Sequence, residues 1–132
     1  MRVIIMGCGR VGARVARAMA EEGHTVVVLD TSEDNLRRLP DFLGITTLLG
    51  DGAMEADLRR AGIEEANAFV AVSDRDARNV LAAQKVKHLF NVQTVVCQVN
   101  DPVRQELYAS LDLEAISPAR AASNLILEAL HK

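Results

Sequence analysis

The chain has 132 residues, 49% hydrophobic and 25% charged, with a net charge of −3. That length supports one domain with its own core, and the near-average composition excludes a disordered or fibrous chain. The negative balance and an aromatic content of 3% exclude a basic, base-stacking surface for nucleic acid.

Short runs rich in β-branched residues alternate with amphipathic segments along the whole chain. Strands are predicted at residues 3–6, 25–29, 46–49, 68–72 and 94–99, with a weaker sixth at 114–117. The first five lack polar alternation, so each is expected to be buried on both faces, as in a parallel sheet. Helices are predicted between them at 10–22, 32–39, 54–61, 74–90 and 102–111, with a last one from 119 onward. Gly23 and Gly62 read as left-handed helix ends. Thr31 or Ser32, Ser73 or Asp74, and Asp101 ahead of Pro102 read as N-caps. Six strands joined by helical crossovers predict a single α/β domain over 1–132. Its sheet is Rossmann-type, doubly wound and parallel, in the order 3-2-1-4-5-6.

Cys8 and Cys97 form no CxxC and no Cys/His cluster, which suits a reducing compartment and gives no zinc site. No window approaches the roughly 20 apolar residues of a membrane span. The opening MRVIIMG is too short an apolar run for a secretory leader. The expectation is a soluble, cytoplasmic domain with no direct membrane insertion.

The most specific motif is Gly7-Cys8-Gly9-Arg10-Val11-Gly12, which follows a predicted strand and opens a predicted helix. In that context Gly7 makes the tight turn, Gly9 admits a pyrophosphate, and Gly12 lets helix and strand pack closely. The helix start then favours an anion. Asp30, followed by Thr31, ends the second strand 18 residues after Gly12, near the position of the ribose-binding acid. Its carboxylate favours NAD-type or plain adenosine ligands over NADP; the alternative is an Asp that caps the next helix. Gly50-Asp51-Gly52 follows the third strand, where an adenine would rest, although turn chemistry alone also explains it. Ser73 and Asp74 follow the fourth strand, across the switch point, and either bound the far half of a dinucleotide or cap a helix.

With these residues in place the chain resembles the N-terminal RCK domain (TrkA-N, also called KTN) of potassium channel and transporter regulators. The resemblance rests on GCGRVG, EGHTVVVLD, the LLGDG turn, FVAVSDRDARN and LDLEAISP, and covers essentially all of the chain. It implies a nucleotide sensor that binds NAD(H), ATP, ADP or AMP, dimerises, and often builds rings beneath a pore-bearing membrane subunit. It assigns Gly7, Gly9 and Gly12 to phosphate, Asp30 to ribose, Asp51 to the adenosine end and Ser73 to the far side. Arg10 would reach terminal phosphates, including those held by a partner subunit. Nothing in the sequence corresponds to the RCK C-terminal lobe. In some relatives the Asp of the Gly-Asp turn helps bind a divalent cation, and Asp51 with Asp74 or Asp76 would supply such oxygens; solvated loop acids are the plainer reading.

The rival class is an NAD-dependent oxidoreductase or its isolated cofactor domain. Hydride transfer needs an acid–base beside the nicotinamide. His24 falls at the opposite end of the sheet, His88 late in a helix and His131 next to the terminus, and Tyr108 has no Lys four residues on. A regulatory, non-catalytic domain is expected. Cys8, at a helix start, is the one candidate thiol for redox sensing. In the last helix Ala121, Ala122, Leu125, Ile126, Leu127, Ala129 and Leu130 cover about two thirds of the circumference. That is more than one sheet can bury, and it predicts a two-fold homodimer.

Overall fold

Six strands form one parallel sheet in the computed structural model, which describes residues 1–39 and 44–132. In chain order the elements are β1 (Arg2–Met6), α1 (Arg10–Glu21), β2 (Thr25–Asp30), α2 (Glu33–Leu36), β3 (Ile45–Leu49) and α3 (Glu55–Ala61). A 3₁₀ turn (Ile63–Glu65) leads to β4 (Ala68–Ala71), α4 (Asp76–Leu89), β5 (Thr94–Gln98), α5 (Pro102–Ser110), β6 (Glu114–Ile116) and α6 (Pro118–Leu130). The strand order is β3-β2-β1-β4-β5-β6, as the sequence predicts.

β1 lies at the centre, with Met6 opposite Leu29 of β2 and Ala71 of β4. Alternate residues of β1 and β2 therefore feed two cores. Ile4, Met6, Val27 and Leu29 meet Leu58 of α3 and Ala83 and Val86 of α4. Val3, Ile5, Val26 and Val28 meet Ala16 of α1 and Leu36 of α2. The continuous apolar runs of β1 and β2 are the sequence image of this double burial.

Burial on both faces does not extend to every strand. In β3 the side chains of Thr46, Thr47 and Leu49 are exposed, because this strand forms the sheet edge. In β5 only Cys97 is buried. Helix α2 is a single turn, shorter than the predicted 32–39: the amides of Arg38 and Leu39 bond the carbonyls of Asn35 and Leu36, three residues back. Helix α4 begins at Asp76, and neither Ser73 nor Asp74 caps it.

Other boundaries agree with the residues that mark them. The Asp101 carboxylate accepts from the Val103 amide at 2.9 Å. The Ser32 hydroxyl accepts from the Asn35 amide at 3.3 Å. Gly23 takes φ 93° after α1, and Gly62 takes φ 87° after α3. Helix α6 departs further from expectation, since none of its residues is buried.

Candidate functional site

The chain leaves β1 and β4 at the same level of the sheet, and the first turn is built around this divergence. The Gly7 amide donates to the Leu29 carbonyl at 2.8 Å, which extends the β1–β2 ladder by one bond. Gly7 then turns with φ 111° against the Val72–Ser73 backbone, a region closed to ordinary side chains. At Gly12 a Cβ would stand 1.9 Å from the Gly7 carbonyl oxygen, so only glycine lets α1 approach the loop this closely. Gly9 is different. Seven of the eight glycines have a left-handed φ or a crowded Cβ position, whereas Gly9 has φ −81° and, among the described residues beyond its chain neighbours, no atom within 4 Å of a Cβ. Among the described residues nothing requires glycine there.

Beside this loop lies an open crevice of about 850 Å³ at the carboxyl ends of β1, β2 and β4. Eleven of the twelve residues singled out from sequence line it: Gly7, Cys8, Gly9, Arg10, Val11, Asp30, Thr31, Gly50, Asp51, Gly52 and Ser73. Gly12 stands behind the loop as its packing contact. The first intrahelical bond of α1 runs from the Ala13 amide to the Gly9 carbonyl at 2.9 Å. The amides of Arg10, Val11 and Gly12 precede it and have no intrahelical acceptor.

Asp30 holds the loop in place. One carboxylate oxygen accepts from the Cys8 amide and the other from the Ser32 amide, both at 2.8 Å, and Asn35 Nδ2 lies 3.3 and 3.4 Å from the pair. The acid thus ties the glycine loop to the head of α2 as well as facing the crevice. Cys8 is buried. Burial and the nearby Asp30 charge raise its thiol pKa, with Arg38 opposing, so the helix start does not activate it.

The turn after β3 is fixed in the same manner. Asp51 donates its amide to Asp57 Oδ2 at 2.8 Å, and its Oδ1 accepts from the Ala53 amide at 2.9 Å. Its Oδ2 accepts from the Arg78 guanidinium, from the head of α4. Burial alone would raise the Asp51 pKa. The bonds from Arg78 and Ala53 and the charges of Arg78 and Lys85 outweigh it, and hold the carboxyl below its ordinary value. Asp76 does not join Asp51: its two oxygens accept from the amides of Asn100 and Asp101 at 2.9 and 3.3 Å.

Sequence reasoning included Asn79 in the FVAVSDRDARN motif but gave it no role; it is fully buried. Its Oδ1 accepts from the Ser73 amide at 2.9 Å and the Ser73 hydroxyl at 2.6 Å, while Nδ2 donates to the carbonyls of Ser73 and Gln98 at 3.0 Å. One amide side chain therefore binds the turn after β4 to the end of β5 and fixes the far wall. Also given no role were Asn35, Arg38, Arg75, Arg78 and Gln98, all of which line the crevice. Arg75 stands just before α4 in extended backbone and Arg78 in its first turn. Four arginines thus face the crevice in a chain of net negative charge.

Comparison with known proteins points to one family. The family model described as the TrkA-N domain matches residues 3–118. The Trk system potassium uptake protein TrkA of Streptomyces coelicolor is 40% identical over 130 residues, which cover 98% of this chain and 58% of that protein. Among solved structures, the Kef CTD of Shewanella denitrificans in AMP-bound form superposes with a TM-score of 0.80 at 26% identity, over 99% of this chain and 80% of that one. The TrkA-N domain of the Escherichia coli inner membrane protein ybaL gives a TM-score of 0.86 at 17% identity, over 98% and 96% of the two chains. That last likeness bears on the fold alone.

Proposed function

The chain belongs to the TrkA-N domain family, and from that premise we propose that it is a nucleotide-sensing regulatory domain of potassium transport. It takes NAD(H) or an adenine nucleotide (ATP, ADP or AMP) in the crevice and passes the ligand state to a membrane channel or transporter subunit through subunit assembly. The observation that carries this reading is Gly9. A residue that no described neighbour crowds, ahead of three amides without an intrahelical acceptor, makes room for a phosphate against the backbone. The four crevice arginines add the charge that a polyphosphate requires. The related Kef domain in its AMP-bound form and the potassium uptake relative support the ligand class and the process.

The reading is regulatory rather than catalytic. Among the described residues lining the crevice there is no His, Lys or Tyr to exchange a proton with a hydride acceptor. His24 lies at the other end of the sheet, with its Nδ1 3.0 Å from the N-terminal amine. Among the described residues no helix is long and apolar enough to cross a membrane. We propose further that it works at the cytoplasmic face of the membrane, as a homodimer or larger ring, a reading that the potassium uptake relative supports.

Thermal-shift titration with NADH, NAD, ATP, ADP, AMP and NADPH tests the proposal. At least one adenine nucleotide should raise the melting temperature with concentration, and NADPH should do so less because of the Asp30 charge. A flat response to all six contradicts it, and steady NADH consumption with simple carbonyl substrates would favour an oxidoreductase instead. Mass spectrometry of ligand released from the purified protein would identify the bound species.

A further inference from the structure

Three of the four crevice arginines, Arg10, Arg38 and Arg75, have no acidic partner among the described residues; Arg78 does. It reaches from the head of α4 to Asp51, in the turn after β3, and both side chains line the crevice. Resting on the nucleotide reading above, we propose that Arg78 is exchanged between Asp51 and a phosphate of the ligand, which makes this ion pair a phosphate-operated latch.

The pair is suited to exchange. The two side chains are 40% and 26% exposed, so solvent screens their attraction. A guanidinium binds a phosphate through charge-assisted, often bidentate bonds, and a phosphate of higher charge outcompetes a single carboxylate. Asp51 is not stranded by the loss. Its Oδ1 keeps the Ala53 amide, and its own amide keeps Asp57. The turn therefore stays folded while its link to α4 is reduced. A second link survives, from Lys85 Nζ to the Ala53 carbonyl at 2.7 Å, so α4 is loosened at its head and held at its middle. The latch joins the approach to α3 with α4, and these two helices share one core. Phosphate at the glycine loop is thereby felt on the face of the sheet opposite α1.

Calorimetric titration of adenosine, AMP and ADP into wild type, Asp51→Asn and Arg78→Gln tests this. Asparagine keeps an acceptor for the Ala53 amide but surrenders the charge that holds Arg78. ADP should then bind about fivefold more tightly to Asp51→Asn and about fivefold more weakly to Arg78→Gln, the low end of ordinary coupling between sites. Adenosine, without phosphate, should bind wild type and Arg78→Gln alike. In the double variant the gain from Asp51→Asn should vanish. If Arg78→Gln does not fold, Arg78→Lys replaces it, with the charge kept, the fork lost and the same direction expected. Equal weakening of adenosine and ADP by Asp51→Asn would make Asp51 a direct nucleoside contact and overturn the latch. ADP binding indifferent to both substitutions would overturn it as well. Failure of wild type to bind any nucleotide is a separate result, and removes the underlying reading too.

Discussion

At the scale of single residues, the glycine loop and Asp30 are legible from sequence because their spacing follows from the geometry of a strand–turn–helix unit. Asn79 stands in the FVAVSDRDARN motif, but its role is not legible. Its meaning depends on Gln98, which the sheet brings beside it from 19 residues away. The same holds for Arg78 and Asp51, 27 residues apart. Local patterns reveal turns and caps; partners across the sheet emerge only once the strand order is in place. The thiols follow burial rather than motif. Burial first, then the Asp76 charge, pushes Cys97 from 9.0 up to about 11. The unfolded chain loses that proton above about pH 9 and the folded chain keeps it, so this group's contribution is full below pH 9 and is lost as pH rises through about 11. The urea midpoint should therefore fall between pH 9 and pH 11, and by less in Cys97→Val. At pH 8 neither Cys8 nor Cys97 should react with a thiolate-directed reagent until the protein unfolds.

At the scale of elements, all six strands and six helices stand where the apolar runs and caps predict, within a few residues. The departures have physical causes. Leu36 and Leu39 share a buried face and mimic a longer helix, but Leu39 precedes Pro40, which disfavours the α region before it. Helix α2 accordingly ends at Leu36. The composition of β3, Ile-Thr-Thr-Leu-Leu, fits a strand equally well at an edge or in the middle, so its exposed threonines become readable only from the sheet order. The seat of α1 on the glycine loop rests on one missing methyl group. Gly12→Ala would drive a Cβ into the Gly7 carbonyl, and should cost about 1–3 kcal/mol through forced backbone shifts. Urea unfolding checks this; a loss below about 0.5 kcal/mol would show that the helix is free to move away.

At the scale of the whole molecule, α6 is the element that does not close. Leu125, Ile126, Leu127 and Leu130 are each at least half exposed, and Val103 and Leu107 on α5 and Leu111 just after it are exposed too. The sequence identifies the surplus apolar surface but not that α6 would leave the core altogether. A soluble chain seldom leaves so much apolar surface open without a partner. A second copy covers such a face economically, because one patch meets itself across a two-fold axis. Light scattering should give a dimer mass for wild type and a monomer mass for Leu127→Glu, with melting temperature nearly unchanged. A wild type that stays monomeric at high concentration would leave α6 to a different partner.

The account's central claim is that the crevice exists for a phosphate at the head of α1, and Gly9 tests it most directly. Gly9→Ala adds a methyl group where, among the described residues beyond its chain neighbours, no atom lies within 4 Å, so the fold should tolerate it, with a stability change of no more than about 1 kcal/mol from the lost N-cap preference. Titration calorimetry with ADP on wild type and Gly9→Ala, both checked for equal folding, decides the matter. The account predicts saturable binding to wild type and none measurable to Gly9→Ala. Equal binding by the two proteins would contradict it.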